Sequence, residues 1–136
     1  MSDSLAAAAV DALGTAFLSG DPDTVLRHFA TTADPIYAGS EPGEVALGRA
    51  ALRSLLEDLF SRDERYSWRT TRVAVTGGDD VLHLVADADL LVHPCVNGTA
   101  GPATEQAPYR ITGVLEREPE GWRWRLCQGS EPAAPA

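Results

Sequence analysis

There is no lysine in this chain. All 11 basic residues are arginine, and 20 acidic residues outnumber them. The resulting formal net charge of −9 argues against nucleic acid as a partner, because holding a phosphate backbone takes clustered Lys and Arg. The lysine-free, alanine-rich composition reads as the codon bias of a GC-rich bacterial genome. Cysteine is scarce as well. Cys95 and Cys127 are the only two and form no CxxC pair, so both read as reduced thiols of a cytosolic protein. Histidine is nearly as rare, and His28, His83 and His93 show no HxH, HxxxH or HExxH spacing, so no metal site is expected. No apolar run approaches the roughly 18 residues of a membrane span. The apolar stretch Leu5–Val10 follows Asp3 rather than a basic segment and does not read as a signal peptide. A cytoplasmic chain without membrane contact is expected. No glycine-rich phosphate loop follows a strand and no GxSxG elbow appears, so no cofactor is expected either.

What is present reads as one domain. A chain of 136 residues can bury roughly 68% of its unfolded surface and needs no staples. Residues 1–4 and 131–136 are read as flexible tails. From Leu5 to Leu18, apolar residues recur at helical spacing, and Gly20 ends the run. Asp21-Pro22 is an N-cap followed by a first helical residue, opening a second helix that buries Val25, Leu26 and Phe29 and stops near Ala30. Pro35–Ala38 reads as a short strand. A third helix carries Leu47, Leu52, Leu55, Leu56, Leu59 and Phe60 inward, with Arg49, Arg53, Glu57 and Asp58 outward.

The second half reads as two hairpins. Tyr66–Thr76 and Val81–His93 flank Gly77-Gly78-Asp79-Asp80. This pairing puts Val73, Val75, Leu82, Leu84, Ala86, Ala88 and Leu90 on one face. Trp68, Arg72, His83 and Asp87 fall on the other, facing solvent or a partner. His93–Pro102 reads as a long loop. In the last hairpin, Tyr109–Ser130, a turn at Glu118-Pro119-Glu120-Gly121 sets Leu115 opposite Trp124, Gly113 opposite Leu126, Ile111 opposite Gln128 and Tyr109 opposite Ser130. Glu116 then meets Arg123 on the outer face, an opposite-charge pair that supports the register. Cys127 and Arg110 also fall outside. Helices followed by antiparallel strands give an α+β class: a cone-shaped curved antiparallel sheet wrapped around three N-terminal helices.

Three segments carry a resemblance: FLSGDPDTVLRHFA, DPIYAGSEPGEVALGRAALRSLLEDLF and YRITGVLEREPEGWRWRLCQGSEP. With them the chain resembles the SnoaL-like branch of the nuclear-transport-factor-2-like superfamily over about residues 5–132. The resemblance implies a cone with a cavity at its wide end and homodimers through the sheet. It spans cyclases, isomerases, epoxide hydrolases, dehydratases and proteins without catalysis, so the fold alone leaves function open. Many relatives carry histidines in the last strand, where this chain has Leu126 and Gln128.

The candidate site follows from these readings. Asp34, before Pro35, is either a general base near the cone's mouth or an Asx-turn residue. Tyr37 is either a hydrogen-bond donor to a carbonyl oxygen or a wall residue. Phe29, Glu44, Tyr109, Trp124, Gln128 and Ser130 are the expected ligand contacts, and the cavity is expected between Phe29, Tyr37, Trp124 and Gln128. The expected partner is a small apolar molecule, either bound only or turned over by proton transfer beside a carbonyl. A dimeric interaction module with a vestigial cavity is the alternative.

Overall fold

A computed structural model describes residues 2–133. Its helices are α1 (Ser2–Ser19), α2 (Pro22–Leu26) and α3 (Arg49–Leu59). Its strands are β1 (Ile36–Ala38), β2 (Val45–Leu47), β3 (Glu64–Gly77), β4 (Val81–Val96), β5 (Thr99–Ala100), β6 (Glu105–Glu118) and β7 (Gly121–Ser130). The sheet runs β2-β1-β7-β6-β4-β3, with β5 on β4, and every pairing is antiparallel except β1 with β7. This is the expected α+β cone, refined to a mixed sheet by that one parallel pair.

α1 is threaded along the inside of the sheet. Its buried residues Ala6, Val10, Leu13 and Phe17 keep the helical spacing read from the sequence. The residues expected to fray, Ser2 to Ser4, already belong to this helix, while Met1 lies outside the described residues. Asp21 caps α2 by accepting from the Asp23 N–H and the Thr24 hydroxyl. α2 ends at Leu26 rather than near Ala30, because the backbone of His28–Ala30 pairs with β7. The Trp124 N–H donates to the His28 carbonyl at 2.7 Å, and the Ala30 N–H donates to the Trp124 carbonyl at 2.9 Å. Arg49, expected on the exposed face of α3, is half-buried. Its guanidinium donates to the carbonyls of Leu26, Phe29 and Ala30, a favourable place for a cation at a helix C-terminus.

Val45–Leu47 forms β2 against β1 instead of opening α3, so Leu47 is 66% exposed rather than core. The long loop expected at His93–Pro102 contains a small hairpin. Asn97-Gly98, both at positive φ, turn β4 back on β5. His93, on the outer face, is buried there: its Nε2 lies 2.8 Å from the Ser67 hydroxyl and its Nδ1 3.0 Å from the Gly101 carbonyl.

Both long hairpins keep the expected facing only near their turns. In the β3–β4 pair, Val73 and Val75 share a face with Leu84 and Ala86 as read, with Val75 opposite Leu84 and Val73 opposite Ala86, but Thr71 has no partner of its own. Beyond that bulge the strand is re-phased, so Trp68, expected outside, turns inward against Leu90. In the β6–β7 pair, Leu115 faces Trp124 and Glu116 faces Arg123 as read, but Arg125 is unpaired. Past it, Gly113 meets Cys127, Ile111 meets Gly129, Thr112 meets Gln128 and Arg110 meets Ser130. Every side chain from Leu126 onward therefore points to the face opposite the expected one.

Candidate functional site

The re-phased β7 decides what the cone holds. Cys127, expected outside, is fully buried on the inner face, and burial pushes its thiol pKa up. Gln128 is exposed on the outer face and Ser130 is half-exposed there. Neither is positioned as the expected inner contact. Gly129 takes the inner position, and the Tyr109 hydroxyl packs on it so closely that a Cβ would overlap that oxygen.

The space expected between Phe29, Tyr37, Trp124 and Gln128 is filled. Phe29 is 0% and Trp124 1% exposed, both packed into the core with Leu115 and Ile111. The cavity lies at the other end of the sheet, away from the hairpin turns. It measures about 90 Å³. Phe17, Tyr37, Tyr66, Trp68 and Tyr109 form its aromatic walls. Glu41, Glu44 and Glu131 carry the charge, and Ser40, Leu59 and Leu90 complete the lining. Of the expected site residues, the structure brings Tyr37, Glu44 and Tyr109 together here.

Each wall residue is held by its own element. β1 alternates, so Ile36 faces out and Tyr37 in, paired in parallel with Cys127. Trp68 donates its indole N–H to the Val10 carbonyl at 2.7 Å and rests on Gly14, where a Cβ would come within 2.7 Å of the Trp68 carbonyl oxygen. The rings pack on one another: Phe17 lies 4.9 Å from Trp68 and 5.8 Å from Tyr37, and Trp68 is 6.0 Å from Tyr109. Tilted and offset geometries of this kind are the favourable ones for aromatic pairs. Glu44 ends a tight turn after Gly39, where its Oε1 accepts the Glu41 N–H at 2.9 Å.

The electrostatics keep the phenols neutral. Burial raises the Tyr37 pKa well above its ordinary value, and Tyr109, Cys127 and Glu44 add to the shift. Burial likewise raises Tyr109, with the Ser40 hydroxyl pulling the other way. Tyr66 is raised by burial and then by Glu64 and Glu41. The site therefore offers protonated hydroxyls, π faces and carboxylates. Among the described residues no cationic side chain lines it. No group of three or more His, Cys, Asp or Glu side chains among them is arranged to hold a metal ion.

Asp34 is not part of this arrangement. It is exposed, and its carboxylate lies beside Gly48 at the start of α3, so a base role within the cavity is corrected to an exposed position outside it. Asp87 stays on the outer face, as expected, where it accepts from Arg110 Nε at 3.0 Å and stands opposite Arg72. Sequence reasoning missed Trp68, Tyr66, Phe17, Ser40 and Glu131 as wall residues. A signal for Trp68 existed: the large apolar residues of β3 change phase from Tyr66 and Trp68 to Val73 and Val75, which requires one extra residue between them.

Known proteins can now be set beside this geometry. An NTF2-like superfamily protein from Salmonella enterica serovar Typhimurium superposes with a TM-score of 0.75 at 13% identity, over 98% of this chain and 92% of that one. A candidate dehydratase of the NTF2-like family from Streptomyces avermitilis gives 0.71 at 22% identity, over 93% of each chain. A ketosteroid isomerase-like protein from Erwinia carotovora atroseptica gives 0.67 at 20% identity, over 93% of both. At such identities these likenesses establish the fold and no more. A comparison with curated proteins finds no match. The profile of the SnoaL-like domain matches residues 6–134, nearly the whole chain, and the chain therefore belongs to the SnoaL-like family.

Proposed function

We propose that this protein binds a small, largely apolar molecule in the aromatic cavity at the open end of its cone. One observation carries the reading. Tyr37 is only 7% exposed, lines the cavity, and its hydroxyl has no hydrogen-bond partner among the described residues. That hydroxyl is not sealed in the core but opens on the cavity, where a bound molecule can meet it. The cavity is much smaller than the roughly 300–1,000 Å³ of drug-sized sites, so the ligand, or the part of it held there, is compact. The test is a thermal-shift panel of small apolar ketones, lactones and amines. At least one should raise Tm, and Ser40→Trp, placed on an exposed wall residue, should abolish that rise without lowering the Tm of the free protein. No stabilisation by any compound would count against the reading.

Catalysis by proton transfer beside a carbonyl is a second reading, supported by the meeting of Glu44 with two buried phenols. Glu44 would take the proton, and Tyr37 and Tyr109 would donate to the developing enolate oxygen. Asp34, outside the cavity, has no part in it. Exchange of α-hydrogens of a bound ketone for deuterium, followed by NMR and lost in Glu44→Gln, would support this reading, and its absence in the unmodified protein would remove it. The family includes proteins without catalysis, and in that case the cavity would serve binding alone or be vestigial.

We further propose that the outer sheet face joins two copies. Val85, 45% exposed, lies there with Val114 and Leu126 in a shallow apolar groove, beside the Arg110–Asp87 and Arg125–Glu116 ion pairs. Val85→Arg should convert a dimer to a monomer in sedimentation equilibrium; a monomeric unmodified protein would end the proposal. No helix among the described residues is long and apolar enough to cross a membrane. The free thiols Cys95 and Cys127 accord with a proposed cytoplasmic location.

A further inference from the structure

We infer that the ligand of this cavity carries a positive charge: a compact, mostly apolar amine or quaternary ammonium, seated between the aromatic rings and the carboxylates of Glu44 and Glu131. This rests on the ligand-binding reading above and names its chemical class.

The charged part of the wall is of one sign. Among the described residues, Glu41, Glu44 and Glu131 are its ionisable members besides the tyrosines. Glu41 is compensated at the rim, where Arg62 Nη1 lies 3.4 Å from its Oε2. Neither Glu44 nor Glu131 forms a salt bridge among the described residues. Glu44 is 9% exposed and spends one oxygen on the Glu41 N–H. Two carboxylates without counter-ions beside a largely enclosed cavity repel an anionic ligand and attract a cation.

The neutral part of the wall favours the same ligand. Five aromatic side chains surround a volume of about 90 Å³. Aromatic faces carry negative potential, and rings gathered around a small cavity are how proteins recognise ammonium groups. Trp68, the strongest ring of this kind, is fixed in place by its bond to Val10 and by its seat on Gly14. The second, independent pointer is Tyr37. The residue is only 7% exposed, and its hydroxyl opens on the cavity where Tyr109 and Glu44 act on it, with no hydrogen bond among the described residues. A hydroxyl can accept from an ammonium N–H as readily as it can donate. The chain's net charge of −9 adds a field that steers cations toward it.

The test uses the full chain and a matched pair of probes: choline and its neutral carbon isostere 3,3-dimethylbutan-1-ol. They have the same shape and differ in charge. Binding is followed by the Trp68 indole N–H resonance and by calorimetry. Choline should bind about tenfold more tightly than the alcohol. That preference should shrink several-fold in Glu44→Gln and to a smaller degree in Glu131→Gln, which changes an exposed residue outside every strand and leaves the fold intact. Equal or tighter binding of the alcohol would overturn the charge inference while leaving the ligand-binding reading standing. A choline preference unchanged in both variants would also overturn it, because the carboxylates would not be its source. Failure of both probes to bind would overturn the inference and count against the reading beneath it.

Discussion

The two ends of the cone are built from similar residues and do opposite things. At the end carrying the hairpin turns, Trp124, Phe29, Leu115 and Leu82 pack into a solid core, each no more than 4% exposed. At the other end, Trp68, Tyr37, Tyr109 and Phe17 are also buried, yet they stand around a hollow. Aromatic content does not separate the two ends. Branched aliphatic residues fill the gaps between the rings at the first end. At the second, Ser40 and the carboxylates of Glu41, Glu44 and Glu131 stand among the rings, and Leu59 and Leu90 do not close the space between them. The bulges at Thr71 and Arg125 mark the border, because past each of them a different set of residues faces inward.

Four changes would break or sharpen this contrast. The largest effect is expected at the solid end. Trp124→Ala should cost about 3–5 kcal/mol in chemical denaturation, since the void cannot collapse in a filled core. A loss below about 1 kcal/mol would mean this end is not packed as described.

Glu118 ties the turn end to the α2–β1 corner, where its carboxylate accepts from the backbone N–H and hydroxyl groups of both Thr31 and Thr32 at 2.9–3.2 Å. Removing it in Glu118→Ala should cost about 2–3 kcal/mol by taking a charged acceptor from four hydrogen bonds to the exposed Thr31 and Thr32. Burial opposes ionisation here, but the four hydrogen bonds outweigh it and hold the carboxyl below the ordinary glutamate value of 4.5. The sign follows from linkage. This stabilisation is complete above the unfolded value and is lost as pH falls through the lower folded one. Acid unfolding of Glu118→Gln should therefore show a shallower pH dependence below that value; an unchanged slope would remove Glu118 as a contributor.

At the hollow end, Gly129→Ala should cost about 1–3 kcal/mol and drive the Tyr109 ring into the cavity. Ligand-induced stabilisation should then disappear along with the space. A Tyr109 ring that keeps its position in the crystal structure of the variant would contradict this. The smallest effect belongs to the outer face. Gln128→Ala should stay within about 0.5 kcal/mol and leave ligand binding untouched. Impaired binding there would restore the register in which Gln128 faces inward.

Much of the fold was legible in the sequence because its signals are local. The α1 stripe, the Asp21-Pro22 helix start, and the turns at Gly77–Asp80 and Glu118–Gly121 all follow from neighbouring residues. The shared face of Val75 and Leu84 and the pairing of Leu115 with Trp124 follow in the same way. What escaped was non-local or cumulative. Val45–Leu47 has the composition of a helix start, and only its pairing with Ile36–Ala38 makes it a strand. Of the site, Tyr37, Glu44 and Tyr109 were legible, since each lies within a segment whose alternation or turn chemistry is short. Gln128 and Ser130 were misassigned because an error of one residue at Arg125 propagates along the whole strand end. Asp34 was misjudged because nearness to a mouth in chain order does not give a direction to a side chain.

Arg125 is the unpaired residue that re-phases β7, an extra residue relative to a regular ladder. Deleting it would set Leu126 directly after Trp124 and still opposite Val114, so Cys127 and Gly129 would keep pointing inward and Gln128 and Ser130 outward. The seat beneath Tyr109 would be kept. The outcome would be reportable in the flask. Cys127, buried where it lies, should stay closed to thiol-labelling reagents in the shortened chain, and labelling would show that the strand had turned over. In the gene, losing the codon for the bulge would cost the strand its kink and leave the pocket its lining.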